Sequence, residues 1–353
     1  MRITPNCLKI GESEMKALQF QAIDQVNLIE CELPKISDNE LLIKTGAAII
    51  CTSDLNDLRE NAFGIQLPII MGHEGAGTVM AIGSQITDFK VGDRIAAHPV
   101  HPCGKCANCR RGMAHLCLDM GHFALNRPGV FAEYFPVRSD RARRIPDAVP
   151  FTTAALAEPV SVCLEALAQA KLHDGDNLLV IGDGPFGVLI ARLAQALPLK
   201  KVVIAGRHDF RLGFAKGAIQ VNEKKVSEPM AKLRTEAGET GYDAVIQAVG
   251  TGQAVRQGLA LLRPKGRLVV FSAVPGETPI DLFDVHVREL EIVGSCNDED
   301  RLDAAVASLS NADLALGELV THTFPLKDFQ QAYDLAARGR EEAMKVAFVF
   351  DGV

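Results

Sequence analysis

Four apolar runs in the middle of the chain narrow its possible folds more than any other feature. NLLVIG (Asn177 to Gly182), KVVIAG (Lys201 to Gly206), YDAVIQAVG (Tyr242 to Gly250) and GRLVVFSA (Gly266 to Ala273) are bounded by glycines and separated by helix-like stretches. Strands that are apolar throughout are buried on both faces, and parallel strands need helical crossovers between them. The rhythm predicts an α/β unit from about residue 165, with a doubly wound parallel sheet and helices on both sides. The first run leads into GDGPFG, where Gly182, Gly184 and Gly187 form a G-x-G-x-x-G that ends a strand and opens an amphipathic helix. In that setting the pattern reads as a Rossmann dinucleotide site. Gly182 allows the tight turn, Gly184 lets a pyrophosphate approach the backbone, and Gly187 lets the helix pack closely, with Pro185 and Phe186 in the same turn. The anion then rests on helix N–H groups.

An acid that ends the second strand of such a unit binds the ribose 2′-hydroxyl and selects NAD. Here that position is Gly206, followed by Arg207 and His208, with Arg211 one turn on. Loss of the acid and gain of cations favour NADP. Ala248 and Val249, and then Ser272 and Ala273, end later strands on the ligand-binding edge and are expected to line the nicotinamide.

The first 150 residues read differently. ELLIKTGAAII (Glu40 to Ile50) and GAGTVMAIG (Gly75 to Gly83) are short, Gly-punctuated and partly alternating, as in a strand-rich, irregular domain. A chain of 353 residues exceeds what one core usually organises, so two domains are expected. Within the first lies CGKCANCRRGMAHLC, with Cys103, Cys106, Cys109 and Cys117 in one loop. The start of the chain, MRITPNCLKIGESEMKALQF, has no apolar signal core, so a cytoplasmic location with reduced thiols is expected. Four thiolates at these spacings can wrap a tetrahedral zinc, which would be closed to substrate and structural. A net charge of -7 offers nucleic acid or an anionic membrane no electrostatic footprint. Gly, Asp or Pro interrupts the longest apolar runs before the roughly 18 to 20 residues of a membrane span.

Cys51 in CTSDLND, His73 and Glu74 in GHEGAG, and Glu158 in AEPVSV are weak signals singly. Taken in order with FKVGDRIA (Phe89 to Ala96), the four-cysteine loop and the glycine fingerprint, they resemble the zinc-dependent medium-chain alcohol and polyol dehydrogenases over almost the whole chain. The resemblance implies a GroES-like, β-rich catalytic domain over residues 1–164 and 300–353, with a Rossmann domain inserted over 165–299. It also implies a catalytic zinc on Cys51 and His73, with Glu74 and Glu158 completing or surrounding the coordination and one position open. Asp54 is then a hydrogen-bond acceptor for the other ring nitrogen of His73. Relatives of the sorbitol and threonine dehydrogenase kind carry an acid where Glu158 stands, whereas liver-type alcohol dehydrogenases carry a cysteine.

The implied chemistry is hydride transfer between a zinc-held secondary alcohol and the nicotinamide, with Ser53 taking the alcohol proton. One departure is Asn56, which stands where the family places a relay histidine. The substrate class is a polyol, sugar alcohol, cyclitol or amino alcohol. A homodimer or homotetramer is expected, with the strand near Leu290 to Ser295 as its candidate interface. Two alternatives remain open on sequence: a zinc-independent quinone-reductase-like protein of the same fold, and a non-catalytic NADP-binding protein.

Overall fold

A computed structural model describes residues 13–350. The first 12 residues, most of the stretch examined for an export signal, lie outside that range. The four predicted apolar runs are the inner strands of a six-stranded sheet. Its order is Ile219–Asn222, Lys201–Gly206, Asn177–Ile181, Tyr242–Gln247, Leu262–Val270 and Glu291–Gly294, and every neighbouring pair is parallel. The chain winds outward from Asn177–Ile181 in both directions, so the crevice at the carboxyl ends of its central strands is the natural ligand site. Leu178, Leu179, Val180, Val203, Ile204, Val245, Ile246, Leu268 and Val269 are fully buried there, as two-sided cover requires.

One strand of this sheet, Ile219–Asn222, was not among the predicted runs. It is four residues long and only Val221 is buried, so it has no apolar run to recognise. The helix before it, Asp209–Leu212, is a single turn.

The other lobe is built from both ends of the chain. Its seven-stranded sheet runs Ala142–Arg144, Arg94–Ala97, Glu74–Ile82, Glu40–Ile49, Lys345–Val349 and Val320–Pro325, with Tyr134–Arg138 also paired to Glu40–Ile49. The C-terminal strand Lys345–Val349 lies antiparallel to Glu40–Ile49, which makes the dinucleotide lobe an insertion. Residues 164 and 165 fall inside one helix, Ala157–Gln169. That helix packs on both Pro185–Leu193 and Leu302–Leu309, and a single apolar cluster runs from Ala47, Ile49 and Ala76 through Val160 and Cys163 to Leu178 and Val180. The helical stretch Phe151–Gln169 is long and apolar enough by composition to cross a membrane, yet about two thirds of it is buried inside the protein. Its hydrophobicity is that of a helix shared by two lobes.

Candidate metal centres and cofactor cleft

The four-cysteine loop carries almost no regular structure, only the four-residue helix Ala107–Arg110 and the short turn Ala114–Leu116, neither with a buried residue. Its sulfurs nevertheless converge, all within 4.8 Å of one another. Cys106 Sγ lies 3.4 Å from Cys109 Sγ and 3.8 Å from Cys117 Sγ. A tetrahedral zinc with sulfur bonds of about 2.3 Å needs separations of roughly 3.8 Å, so the donor set fits. Backbone N–H groups of Cys109 and Leu118 point at Cys106 Sγ and hold its thiol down to about 6. The loop's own amides favour the thiolate at Cys106, whereas burial and the neighbouring sulfurs push the Cys109 thiol up to about 12.

Cys51 and His73 meet as expected, and Glu74 joins them. One ligand atom from each lies within 4.8 Å of the others. Cys51 caps the helix Thr52–Glu60. Asp54, three residues into it, uses Oδ2 to accept the Cys51 N–H at 2.9 Å and Oδ1 to face His73 Nδ1 at 3.2 Å. One carboxylate thus fixes both donors, and with Nδ1 engaged, Nε2 is the ring nitrogen left for a metal. Burial disfavours a charged His73 ring, but Asp54 and Cys51 outweigh it and raise its proton affinity well above the ordinary value. Thiolate, imidazole and carboxylate together suit zinc.

Glu158, in the first turn of the helix Ala157–Gln169, stands outside this tight group. It is buried, its Oε2 has no hydrogen-bond partner, and burial pushes its carboxyl up to about 7, with Glu74 adding to the rise and His73 opposing it. Of the two glutamates, Glu74 is the one brought to Cys51 and His73, while Glu158 is a nearby acid with an orphaned oxygen. Ser53 is half-buried in the first turn of the Cys51 helix, and Asn56 is exposed further along it.

Several groups here were not found by sequence reading. Lys345 Nζ lies 2.5 and 2.6 Å from the two oxygens of Glu74, with both side chains buried. It also lies 5.4 Å from the centroid of the Phe186 ring, so it spans from the metal group to the glycine loop. Nothing in KVAFVF beyond a lysine heading an apolar strand could have signalled this. Removing one partner of a buried pair strands the other charge, so Lys345→Met is expected to cost about 3–5 kcal/mol. In metal-free protein the double variant Lys345→Met/Glu74→Gln should regain much of that. Urea unfolding midpoints of the two variants check it, and equal loss in both would refute the pairing. Elsewhere, His98 Nε2 donates to Asp298 Oδ1 at 2.5 Å, a buried link across the lobes.

In the cofactor lobe Gly184 caps the helix Pro185–Leu193, with Pro185 and Phe186 opening it. A Cβ on Gly187 would lie 1.9 Å from the Gly182 carbonyl oxygen, which is why only glycine permits this approach. Ala248 and Val249 follow the strand Tyr242–Gln247, and Ser272 and Ala273 follow Leu262–Val270. All four lie at the carboxyl ends, as expected. Gly206 ends its strand, and the first two side chains after it face carboxylates. His208 Nδ1 lies 3.1 Å from Asp183 Oδ2, and Arg207 Nε lies 3.7 Å from Glu223 Oε2. Arg211 is half-buried, and burial lowers its pKa while Asp183 raises it.

The chain matches the alcohol dehydrogenase GroES-like domain family over residues 37–147 and the zinc-binding dehydrogenase family over residues 185–311. It is 30% identical over 347 residues to a sorbitol dehydrogenase of Bombyx mori, covering 95% of this chain and 98% of that one. This chain belongs to the zinc-binding medium-chain alcohol dehydrogenases, in their sorbitol and threonine dehydrogenase branch. An L-threonine 3-dehydrogenase of Anaeromyxobacter dehalogenans is 32% identical over 317 residues, 87% of this chain and 91% of its own. The solved alcohol dehydrogenase of Thermus sp. ATN1 superposes with a TM-score of 0.86 at 30% identity, over 95% of this chain and 99% of that one. As a medium-chain dehydrogenase the chain is an oxidoreductase of alcohols. Its GroES-like lobe is the sheet that carries Glu74 and Lys345, and its Rossmann lobe is the parallel sheet.

Proposed function

We propose that this protein is a zinc-dependent dehydrogenase that moves a hydride between a secondary alcohol and a nicotinamide dinucleotide. The alcohol is a polyol, sugar alcohol, cyclitol or amino alcohol. The observation that carries the reading is the convergence of Cys51, His73 and Glu74, with Asp54 fixing the first two. When bound there, zinc supplies Lewis acidity to the substrate oxygen and the dinucleotide supplies the hydride acceptor. A second zinc would sit on Cys103, Cys106, Cys109 and Cys117.

This chain's own residues do the rest. Asp54 holds the His73 ring in one orientation. Glu158, with an oxygen unsatisfied by protein, is the group ready to accept a hydrogen bond from a polar substrate or water. Ser53 Oγ, two residues from Cys51, accepts the proton of the alcohol while its own hydroxyl proton passes to water or to the cofactor ribose. Asn56 cannot carry it further, because an amide does not protonate near neutral pH. Glu158 in place of a cysteine, and the sorbitol and threonine dehydrogenase relatives, support the polyol and amino-alcohol classes. Arg207, His208 and Arg211 supported NADP in the sequence, but in the folded chain the first two face carboxylates, so what meets the ribose 2′-position decides between the dinucleotides.

A homodimer or homotetramer joined along Glu291–Gly294 is part of the reading. That strand is the last of its sheet, and Leu282, Phe283 and Val287 beside it are exposed. A monomer by light scattering would exclude it. The central experiment screens polyols, cyclitols and amino alcohols with both dinucleotides, following reduced nicotinamide by absorbance. Turnover of one class by protein holding two zinc ions per chain is expected. Fully metallated protein inert toward every class would overturn the reading, and turnover of quinones without zinc would establish its rival.

A further inference from the structure

We propose that Asp183, the second residue of the glycine fingerprint, replaces the missing strand-end acid, binds the adenosine ribose diol and makes NAD the preferred dinucleotide. The proposal rests on the reading that the Rossmann lobe holds a nicotinamide dinucleotide, and it revises the NADP expectation drawn from sequence.

The geometry begins at Gly206. An acid at this strand end would project its side chain from a Cβ that, built on Gly206, lies 2.4 Å from Asp183 Cβ and 2.6 Å from both its Cγ and its Oδ2. Asp183 already fills that volume, so the two side chains exclude one another. A carboxylate is present at the discriminating position, delivered from the neighbouring loop and not from the strand itself.

Hydrogen bonds hold it there. Asp183 Oδ2 accepts the N–H of Arg207 at 2.6 Å and the N–H of His208 at 2.7 Å, and the His208 ring Nδ1 lies 3.1 Å away. Oδ1 has only the longer 3.3 Å contact to the same ring nitrogen. The first oxygen is saturated and the second can still accept from a hydroxyl. A ribose 2′-hydroxyl is a donor and suits it. A 2′-phosphate carries roughly two negative charges and only acceptor oxygens at neutral pH.

Two of the groups that could cradle that phosphate, the backbone amides after the second strand and the Arg207 side chain, are occupied, whereas Arg211 Nε has no hydrogen-bond partner. Backbone amides just beyond the second strand are such a cradle, and Asp183 fills it with its own negative charge. Arg207 faces Glu223, whose other oxygen accepts the Gln257 amide at 2.5 Å. Arg207, Lys224 and Arg256 line a cavity of about 540 Å³ and are the cations a 2′-phosphate would need, but Glu223 lies on the same wall and Asp183 beside Arg207. Each acid opposes the dianion.

Binding can be read without an alcohol, by titrating the purified protein with NADH and NADPH through nicotinamide fluorescence, and with ADP-ribose and 2′-phospho-ADP-ribose by calorimetry. The wild type is expected to bind both unphosphorylated forms at least about tenfold more tightly. Asp183→Asn should reduce that ratio about tenfold, by weakening NADH and relieving NADPH. The exchange Asp183→Gly/Gly206→Asp, which returns the acid to the strand end, should restore it. Wild-type protein that binds the phosphorylated forms equally or better overturns the proposal and leaves the dehydrogenase reading intact. Binding of none of the four ligands overturns both. The wild-type ratio decides the matter even if a variant does not fold.

Discussion

Replacing Cys51 with serine is expected to leave the protein with one zinc per chain and to lower kcat/KM by on the order of a thousandfold or more. The thiolate is one of three converging donors, and Asp54 spends one oxygen on the Cys51 backbone N–H and the other on His73. The serine keeps that N–H, so the helix cap and the His73 ring stay in place and the loss falls on the ligand alone. A metal Lewis acid is worth several kcal/mol to a developing alkoxide, and each 1.4 kcal/mol, roughly, is a factor of ten. NADH affinity should be unchanged, since the glycine loop is untouched. Metal analysis, steady-state kinetics and NADH titration on one preparation check all three statements. Two zinc ions retained, or a rate loss below about tenfold, would show that Cys51 is packing and not a ligand.

The second large effect belongs to the four-cysteine loop. Cys106→Ser, or exposure to a strong chelator, is expected to unfold the segment from Cys103 to Cys117 and lower the melting temperature measurably. Neither short helical piece of this loop has a buried residue, so it has little apolar burial of its own to offset the entropy of ordering it. Zinc on such sulfurs contributes on the order of 10–16 kcal/mol of apparent binding free energy at neutral pH in small zinc domains, and that becomes folding free energy. Trypsin should then cut at Lys105, Arg110 and Arg111. Acid should act in the same direction as the chelator. Protons compete with zinc for the four thiolates, so the metal and the stability it supplies are lost as pH falls. Unchanged melting and proteolysis in metal-free protein would mean the loop stands without an ion.

Much of this molecule was legible in its amino acids because the relevant signals are local. Apolar runs bounded by glycine became the inner strands of the parallel sheet, since burial on both faces leaves no polar position along a strand. Cysteines within one loop met because short chain segments cannot keep them far apart. The glycine fingerprint was readable for the same reason, its three glycines lying within six residues of each other. By contrast, Ile219–Asn222 carried no recognisable pattern, and its place at the sheet edge came from the neighbour it pairs with.

What needed the folded chain was every contact between segments distant in sequence, and above all the state of the charges. Sequence alone determined that there is a dinucleotide lobe, a thiolate loop, and a thiolate, an imidazole and two carboxylates able to serve a metal. Only the tertiary structure decided that Glu74, and not Glu158, joins Cys51 and His73, and that Lys345, 271 residues further on, neutralises it. It likewise turned Arg207 and His208 from apparent phosphate ligands into partners of Glu223 and Asp183. The physical reason is that residue type sets the sign of a charge, whereas the field that acts on it comes from whatever the fold places within a few ångströms.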